Sequence, residues 1–242
     1  MPDAANATFS GSTVLLTGVG ADGQVGQTVA RKFAESGASL ALVDRTKEHV
    51  DARAAELTRD GFSAAAYPCD LTDAAAVNAL AARIRDVHGE SIHAVVHMAG
   101  GFAMSGPVAD SADDVWNRQI AINLTTAFTT ARAFVPMLRS AHGAIVFFAS
   151  ETVLPGSTGA RVAAYAVAKS GVVALMRAFA AEERANGVRA NAVAPSSIRT
   201  ATNVRDMGAS AKYVEREQVA DVVLFLCSRR ASAISGLVVP IA

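Results

Sequence analysis

The chain has 242 residues, and its 22 basic and 22 acidic side chains give a formal net charge of zero at pH 7. This balance argues against a nucleic-acid partner or an anionic membrane surface, because both require clustered positive charge. The hydrophobic fraction is 51% and the mean hydropathy is +0.28, enough for the buried core of one large domain.

The two cysteines, Cys69 and Cys227, lie far apart and lack metal-type spacing. We therefore expect two free, buried thiols in a reducing compartment and no metal site. The first residues, MPDAANATFS, show no basic start followed by an apolar run, so no secretory signal is expected. No apolar stretch is expected to reach the roughly 18–20 residues that span a bilayer. These features predict a cytoplasmic protein.

Short apolar runs alternate with longer segments of helical periodicity along the chain. Most of the runs lack the polar–apolar alternation of a half-exposed strand, which indicates a parallel sheet covered on both faces. The pattern predicts an α/β fold with a doubly wound parallel sheet of about seven strands and helices on both faces. The predicted strands are Val14–Thr17, Leu40–Val43, Ala64–Tyr67, Ala94–His97, Ala144–Phe148, Arg189–Val193 and Leu237–Ile241.

The segments between these runs are predicted helices, and Asp73 is expected to cap the third. The longest contains Pro136 as a site for a kink. Residues 201–216 lack periodicity and are predicted to form an irregular substrate lid. No linker divides the chain, so we predict one domain over residues 1–242, with residues 1–11 as a tail. The predicted helices are Gln24–Ser36, Thr46–Arg59, Asp73–Val87, Asp113–Ser140, Ala163–Asn186 and Glu217–Ser228.

A glycine-rich turn joins the first predicted strand to the first predicted helix. Such glycines let the backbone turn sharply beside a pyrophosphate, whose charge the helix amino terminus stabilises. The turn reads Gly18-Val19-Gly20-Ala21-Asp22-Gly23-Gln24-Val25-Gly26.

Asp44 ends the second predicted strand, about 20 residues beyond this turn, where a carboxylate binds both ribose hydroxyls of an adenosine. Asp44 and the negative charge of Asp22 favour NAD over NADP, whereas a guanidinium at Arg45 would bind a 2′-phosphate. Asp44 also suits a cap for the following helix, and the two roles are compatible. Asp70, followed by Leu71, is interpreted either as an adenine contact or as a turn residue.

Tyr165 and Lys169 are four residues apart in a predicted helix, so their side chains share one face. A nearby ammonium and an oxidised nicotinamide would lower the tyrosine pKa from about 10 towards the operating pH of a general acid/base. Ser150 follows a buried strand at its carboxyl end, where its hydroxyl would bond a substrate oxygen. Each residue alone fits an ordinary structural role, but together with the glycine-rich turn and Asp44 they predict a catalytic site.

These motifs resemble the short-chain dehydrogenase/reductase family in its compact single-domain form, from Val14 to about Val239. The resemblance implies a nicotinamide-dependent oxidoreductase with Tyr165 as general acid/base, Lys169 on the nicotinamide ribose and Ser150 on the substrate oxygen. It also implies that Asn123 helps hold a water that relays protons to the lysine. The implied cofactor contacts are Gly18, Gly20, Gly23, Gln24, Val25, Gly26, Asp44, Arg45, Asp70, Leu71, Ala99, Gly100, Tyr165, Lys169, Pro195, Ile198 and Thr200.

The chain departs from the family pattern at several places, of which two bear most directly on the site. The glycine-rich turn is longer than usual, with Gln24 where the middle glycine is expected, so the path of the phosphate loop is open. His97-Met98 stands where the family has paired asparagines, and a strand-packing role is expected for His97.

Substrate identity is not determined by these residues. Two other functions stay open: an NADP-dependent reductase of 3-oxoacyl thioesters, and a cofactor-binding protein of the same fold without turnover. The small apolar residues of the two longest predicted helices indicate a homo-oligomer, a dimer or a tetramer as in the family. Candidate pocket residues for a small alcohol or ketone are Gly101, Phe102, Glu151, Thr152, Arg161, Ser196 and the 201–216 segment.

Overall fold

The computed structural model describes residues 8–242 and contains one sheet of seven parallel strands. The spatial order is β3-β2-β1-β4-β5-β6-β7, so the winding direction reverses between β1 and β4. The doubly wound fold and its seven strands are therefore as predicted. The strands are β1 (Thr13–Thr17), β2 (Ser39–Asp44), β3 (Ala64–Pro68), β4 (Ala94–His97), β5 (Ala144–Phe148), β6 (Arg189–Pro195) and β7 (Val238–Ile241).

Eight α-helices lie in the described part of the chain, most of them close to their predicted positions. Asp73 caps α3 as predicted, because its carboxylate accepts the N–H groups of Ala75 at 2.8 Å and Ala76 at 3.2 Å. The helices are α1 (Val25–Glu35), α2 (Lys47–Arg59), α3 (Ala74–His88), α4 (Asp113–Gln119), α5 (Thr126–Ala141), α6 (Ala163–Glu182), α7 (Ala201–Met207) and α8 (Arg216–Cys227).

The helices cover both faces of the sheet. Leu15 of β1 points to the face covered by α3, α5 and α6, whereas its neighbours Val14 and Leu16 point to the face covered by α1, α2 and α8. All three side chains are fully buried. Alternate residues of one strand thus enter two different cores, which explains why the strands are apolar throughout.

Three expectations about local structure need correction. The long helix is interrupted by a π-turn at Ile120–Thr125, while Pro136 lies within α5. The 201–216 segment is not wholly irregular, because it begins with α7. The predicted tail includes Phe9, which is buried and packs edge-on against Phe33 with ring centroids 5.0 Å apart; residues 1–7 lie outside the described part of the chain.

Two expectations from composition also need correction. Cys69 and Cys227 are both free, but Cys69 is only partly buried. Helix α6 is long and apolar enough to meet the length and hydropathy criteria for a membrane span, contrary to the expectation that no segment would. It packs against β5 and β6 and carries the buried Lys169, so its apolar side belongs to the core of the fold.

Candidate active site

A cavity of about 520 Å³ lies at the carboxyl ends of the first four strands. This is where the strand order reverses, the usual ligand crevice of a doubly wound sheet. The predicted cofactor residues that line it are Gly18, Asp44, Arg45, Asp70, Leu71, Ala99 and Gly100. Lining residues that the sequence did not single out include Cys69, Thr72, Asp114 and Arg118.

A larger cleft of about 1040 Å³ opens at the opposite, amino-terminal ends of the strands. Its lining includes none of the residues predicted to bind cofactor or to act in catalysis. The smaller cavity is therefore the one lined by predicted cofactor residues, whereas the predicted catalytic residues line neither cavity; these are Ser150, Tyr165, Lys169 and Asn123.

Asp44 is held by two backbone groups at the rim of the smaller cavity. One carboxylate oxygen accepts the N–H of Gly20 in the glycine-rich turn at 2.8 Å, and the other accepts the N–H of Thr46 at the start of α2 at 3.0 Å. Asp44 therefore does not cap α2, whose N-cap residue is Thr46, but its carboxylate stabilises the turn that leads into this helix and also lines the cavity. Arg45 beside it is exposed.

The Asp70 carboxylate stabilises the turn in which Asp70 itself lies. One of its carboxylate oxygens accepts the backbone N–H of Thr72 at 2.9 Å and the Thr72 hydroxyl at 2.7 Å. These hydrogen bonds lower the pKa of the Asp70 carboxyl. The turn interpretation is supported, and Asp70 still lines the cavity.

The glycines of the phosphate loop are required by its geometry. Gly18, Gly20 and Gly23 all have positive φ, the region that glycine alone enters without strain. A Cβ at Gly18 would lie 2.5 Å from the Ala99 nitrogen, and one at Gly26 would lie 2.4 Å from the Val19 oxygen. The loop is therefore packed directly on the first helix and on the end of β4.

Contacts on two sides hold the lengthened phosphate loop in place. Asp22 forms an ion pair of 2.6 Å with Arg53, whose side chain is only 2% exposed. On the other side, the Gln24 amide donates to the Thr202 hydroxyl at 3.1 Å, and the Ala201 N–H donates to the Gly23 oxygen at 2.9 Å. The expectation that Asp22 adds negative charge at the phosphate site is weakened, because Arg53 offsets that charge.

The residues after β6 lead into the 201–216 segment, the predicted substrate lid. Pro195 ends β6, Ile198 pairs with Val214 in an isolated parallel bridge, and the Thr200 hydroxyl accepts the Asn203 N–H at 3.1 Å. Thr200 thus caps α7 in this structure. Its predicted phosphate contact stays a prediction.

A dinucleotide fits the arrangement of these groups. Gln24, at the amino end of α1, makes no side-chain cap to the first turn. That leaves the positive end of this helix for a phosphate, while Gly18 permits the close approach of the backbone. Asp44 and Asp70 line the smaller cavity together with Gly18 of the glycine-rich turn.

Tyr165 and Lys169 lie on α6, as their spacing predicted. The Lys169 ammonium is buried, donates to the Phe148 oxygen at 2.8 Å and stands 5.7 Å from the centre of the Tyr165 ring. Burial lowers the pKa of Lys169 to about 8. The Phe102 ring packs edge-on against Tyr165, with centroids 5.2 Å apart.

The Tyr165 pKa differs from the expected direction. Burial of the phenol raises it above its ordinary value, the Ser150 hydroxyl opposes that shift, and the Glu151 carboxylate adds to it. The lysine does not outweigh these effects in the protein alone, because its ammonium is directed to the Phe148 carbonyl. A lowered pKa would require the positive charge of an oxidised cofactor as well.

The Ser150 hydroxyl lies beside Tyr165 and acts there as a hydrogen-bond donor. Ser150 follows β5, is 8% exposed, and its oxygen accepts the Thr152 N–H at 3.3 Å. Because this bond uses the oxygen as an acceptor, the hydroxyl hydrogen is left to donate, and in this structure it is directed to Tyr165, whose pKa it lowers.

Asn123 lies in the π-turn and is almost fully buried. A Cβ at Gly100 would lie 2.5 Å from the Asn123 side-chain oxygen and 3.4 Å from the Lys169 nitrogen, so both side chains meet at this glycine. Gln119, one turn before Asn123, contacts its amide and was missed by the sequence analysis. A polar residue at helical spacing from Asn123 was the only available signal.

The fold and the site together define a dinucleotide-dependent oxidoreductase. The sheet is doubly wound, the glycine-rich turn follows β1 and a carboxylate ends β2. At this side of the sheet lie the polar side chains of Ser150, Tyr165 and Lys169. The family model described as enoyl-(acyl carrier protein) reductase matches residues 18–241. The chain belongs to the short-chain dehydrogenase/reductase family and is a nicotinamide-dependent enzyme of that family.

Individual relatives agree with this assignment over nearly the whole chain. A meso-2,3-butanediol dehydrogenase of Serratia marcescens is 34% identical over 96% of this chain and 94% of that protein. The crystal structure of a short-chain dehydrogenase from Mycobacterium smegmatis is 30% identical, with a TM-score of 0.85 over 98% of this chain and 93% of that one. The structure of NAD⁺-bound xylitol dehydrogenase is 26% identical, with a TM-score of 0.87 over 97% and 98% of the two chains.

Proposed function

We propose that this enzyme transfers hydride between NAD and a small alcohol or the corresponding carbonyl compound, with Tyr165 as the general acid/base. The observation that carries this proposal is the buried Lys169 ammonium 5.7 Å from the Tyr165 ring, at the carboxyl end of the sheet. The names of the butanediol and xylitol dehydrogenases support an alcohol substrate.

Proton transfer follows from the groups around Tyr165. In the oxidative direction the phenolate takes the hydroxyl proton of the alcohol as the carbon loses hydride; in the reductive direction the phenol returns it. Ser150 donates its hydroxyl hydrogen to the substrate oxygen once substrate lies beside Tyr165, and Lys169 stabilises the phenolate and binds the nicotinamide ribose. When bound, the nicotinamide accepts or supplies the hydride at C4.

The preference for NAD rests on Asp44. Its carboxylate is oriented at the cavity rim by the Gly20 and Thr46 N–H groups, where it would accept both ribose hydroxyls and repel a 2′-phosphate. Arg45 is the one argument for NADP. The remaining residues proposed to hold the cofactor are Gly18, Gly20, Gly23, Gln24, Val25, Gly26, Asp70, Leu71, Ala99, Gly100, Pro195, Ile198 and Thr200.

Tyr165→Phe tests the proposal, since it removes the hydroxyl and keeps the ring. Turnover of a panel of alcohols and ketones should fall by roughly 100- to 10,000-fold, while NADH binding measured by fluorescence is retained. Tyr67→Phe is the matched control, because the Tyr67 hydroxyl bonds His88 at 3.0 Å, outside the catalytic group. Near-normal turnover by Tyr165→Phe would contradict the assignment. NADH binding without turnover by the unmodified protein would favour a non-catalytic role.

We also propose a cytoplasmic homo-oligomer, a dimer or a tetramer. Phe128 on α5 and Val167 on α6 are each 46% exposed, although an Arg132 guanidinium lies over the Phe128 ring at 5.1 Å. A second copy would cover these apolar side chains. Sedimentation that shows only monomer would exclude the oligomer.

A further inference from the structure

We propose that His97 is a positioning residue that joins the start of the glycine-rich turn to the π-turn carrying Asn123. The inference concerns this chain's own departure from the paired asparagines of its family, and its kinetic part rests on the proposed function. The sequence analysis expected only strand packing at this position.

The imidazole of His97 contacts two threonines from different elements. His97 ends β4 opposite Thr17 of β1, and its Nδ1 lies 3.0 Å from the Thr17 hydroxyl. Its Nε2 lies 3.3 Å from the hydroxyl of Thr126, the first residue after the π-turn. Thr17 directly precedes Gly18, and Asn123 lies within the π-turn, so the imidazole stands between the cofactor side and the proton-transfer side of the site.

The hydrogen bonds that run from Thr17 through His97 to Thr126 have one consistent direction. The Thr126 hydroxyl lies 2.8 Å from the Ile122 oxygen, and a carbonyl can only accept, so the hydroxyl hydrogen is used there. His97 Nε2 must therefore carry a hydrogen and donate it to Thr126. In a neutral ring Nδ1 is then the acceptor and receives the Thr17 hydroxyl hydrogen.

The surroundings keep the ring neutral. His97 is 2% exposed, and its ring is tilted against Phe147 with centroids 6.2 Å apart. Burial, followed by the charge of Lys169 on α6, lowers the pKa of His97 to about 3. The donor and acceptor ends of the imidazole therefore stay constant across the working pH range.

The functional consequence follows from what each end holds. At one end the Thr17 contact supports the strand end from which Gly18 approaches Ala99. At the other end Thr126 ties the Ile122 carbonyl of the π-turn, and this turn places Asn123 beside Gly100 and Lys169. Any buried imidazole needs partners for both ring nitrogens, but at His97 these partners come from the two elements that carry Gly18 and Asn123.

The first experiment uses the unmodified, cofactor-free protein. A two-dimensional ¹⁵N–¹H spectrum of the histidine rings should show His97 in the Nε2–H tautomer, with shifts that do not change between pH 8 and pH 5 (about the range in which an ordinary histidine titrates). A Nδ1–H tautomer, or titration in this range, would overturn the proposed chain. This arm is independent of turnover, so it separates failure of this inference from failure of the proposed function.

Two substitutions separate the two ends of the ring. His97→Asn places an amide near Nδ1 and loses contact with Thr126, so kcat should fall by roughly 10- to 100-fold, with NADH affinity nearly unchanged. His97→Gln reaches towards Nε2 and loses contact with Thr17, so it should weaken NADH binding more than His97→Asn does. If the two variants lowered the thermal stability equally and changed neither kcat nor NADH affinity, His97 would have a packing role only.

Substitutions at Thr126 test the same hydrogen bonds from the other side, and Thr130 provides the control. Thr126→Val should reproduce the kcat loss of His97→Asn, Thr126→Ser should restore most of the activity, and the His97→Asn/Thr126→Val double variant should be no worse than either single one. Thr130→Val is the control on the same helix, since this buried hydroxyl has no partner among the described residues. Additive losses in the double variant would contradict a shared chain.

Discussion

The Asn123 carboxamide is joined to the backbone of Gly101 in both directions. Its Oδ1 accepts the Gly101 N–H at 3.1 Å, and its Nδ2 donates to the Gly101 oxygen at 2.9 Å. Nδ2 also lies 3.1 Å from the Gln119 backbone oxygen and 3.2 Å from the Gln119 side-chain oxygen. The loop after β4 is thereby tied to the π-turn, which keeps Gly100 against Lys169.

Asn123→Asp should damage this junction while changing little volume. A carboxylate still accepts the Gly101 N–H but cannot donate to the Gly101 oxygen or to Gln119, and it would be buried facing three acceptor oxygens. We expect a lower melting temperature together with a loss of kcat, measured by calorimetry and steady-state kinetics. Asn117→Asp, exposed on α4, is the control and should change neither quantity appreciably. A fully active Asn123→Asp variant would show that the two-way contact is dispensable.

Glu151→Gln should shift the pH dependence of alcohol oxidation. The Glu151 carboxylate raises the pKa of Tyr165, so its removal lowers that pKa, and the phenolate needed for oxidation then forms at lower pH. The acid limb of the kcat/KM profile should move to lower pH, and the shift should shrink with added salt because Glu151 is exposed. Glu182→Gln, at the far end of α6, is the control. An unmoved acid limb at low salt would count against this effect.

Asp44→Asn should relax the choice between the two nicotinamide cofactors. The side chain keeps one acceptor for the glycine-rich turn but loses the charge that repels a 2′-phosphate and binds the ribose. We expect NADH affinity to fall by roughly tenfold and NADPH affinity to rise, since a hydrogen bond to a charged group contributes about 1.5–3 kcal/mol. Fluorescence titration with both cofactors measures this. Asp51→Asn, an exposed site on α2, is the control. Unchanged relative affinities would argue against Asp44 as the selector.

Arg53→Met should affect cofactor binding more than stability. Arg53 is buried, but its partners Asp22 and Glu56 are more exposed and can be solvated when it is lost. We expect the free energy of unfolding to change by about 1 kcal/mol or less, while the glycine-rich turn loosens and NADH binding weakens. Urea denaturation and NADH titration measure the two effects. Asp22→Asn should weaken NADH binding in the same direction; tighter binding by both variants would contradict the role given to this pair.

Much of the fold and part of the site could be predicted from local pattern. The apolar runs predicted all seven strands because a residue buried on either face of a parallel sheet must be apolar, and this is visible along the chain itself. The Tyr165–Lys169 pair was predictable because helical periodicity places residues four apart on one face. The position of Asp44 beside the glycine-rich turn was predictable from their separation in the sequence, while its contact with a ribose stays a prediction.

Other features depended on contacts between segments that are distant in sequence. Thr17 and His97 are 80 residues apart and meet only because β1 and β4 pair in one particular register. The path of the lengthened turn likewise depends on Arg53 and Thr202, which approach it from two other elements.

The sequence by itself determined the doubly wound sheet and the polar residues at the carboxyl ends of its strands, since these follow from periodicity and spacing, and its motifs carried the resemblance to the family. Only the tertiary structure decided the direction of the Tyr165 pKa, the π-turn at Asn123 and the partners of His97. The reason is physical: burial and hydrogen-bond direction are properties of the packed neighbourhood, to which several elements contribute at once.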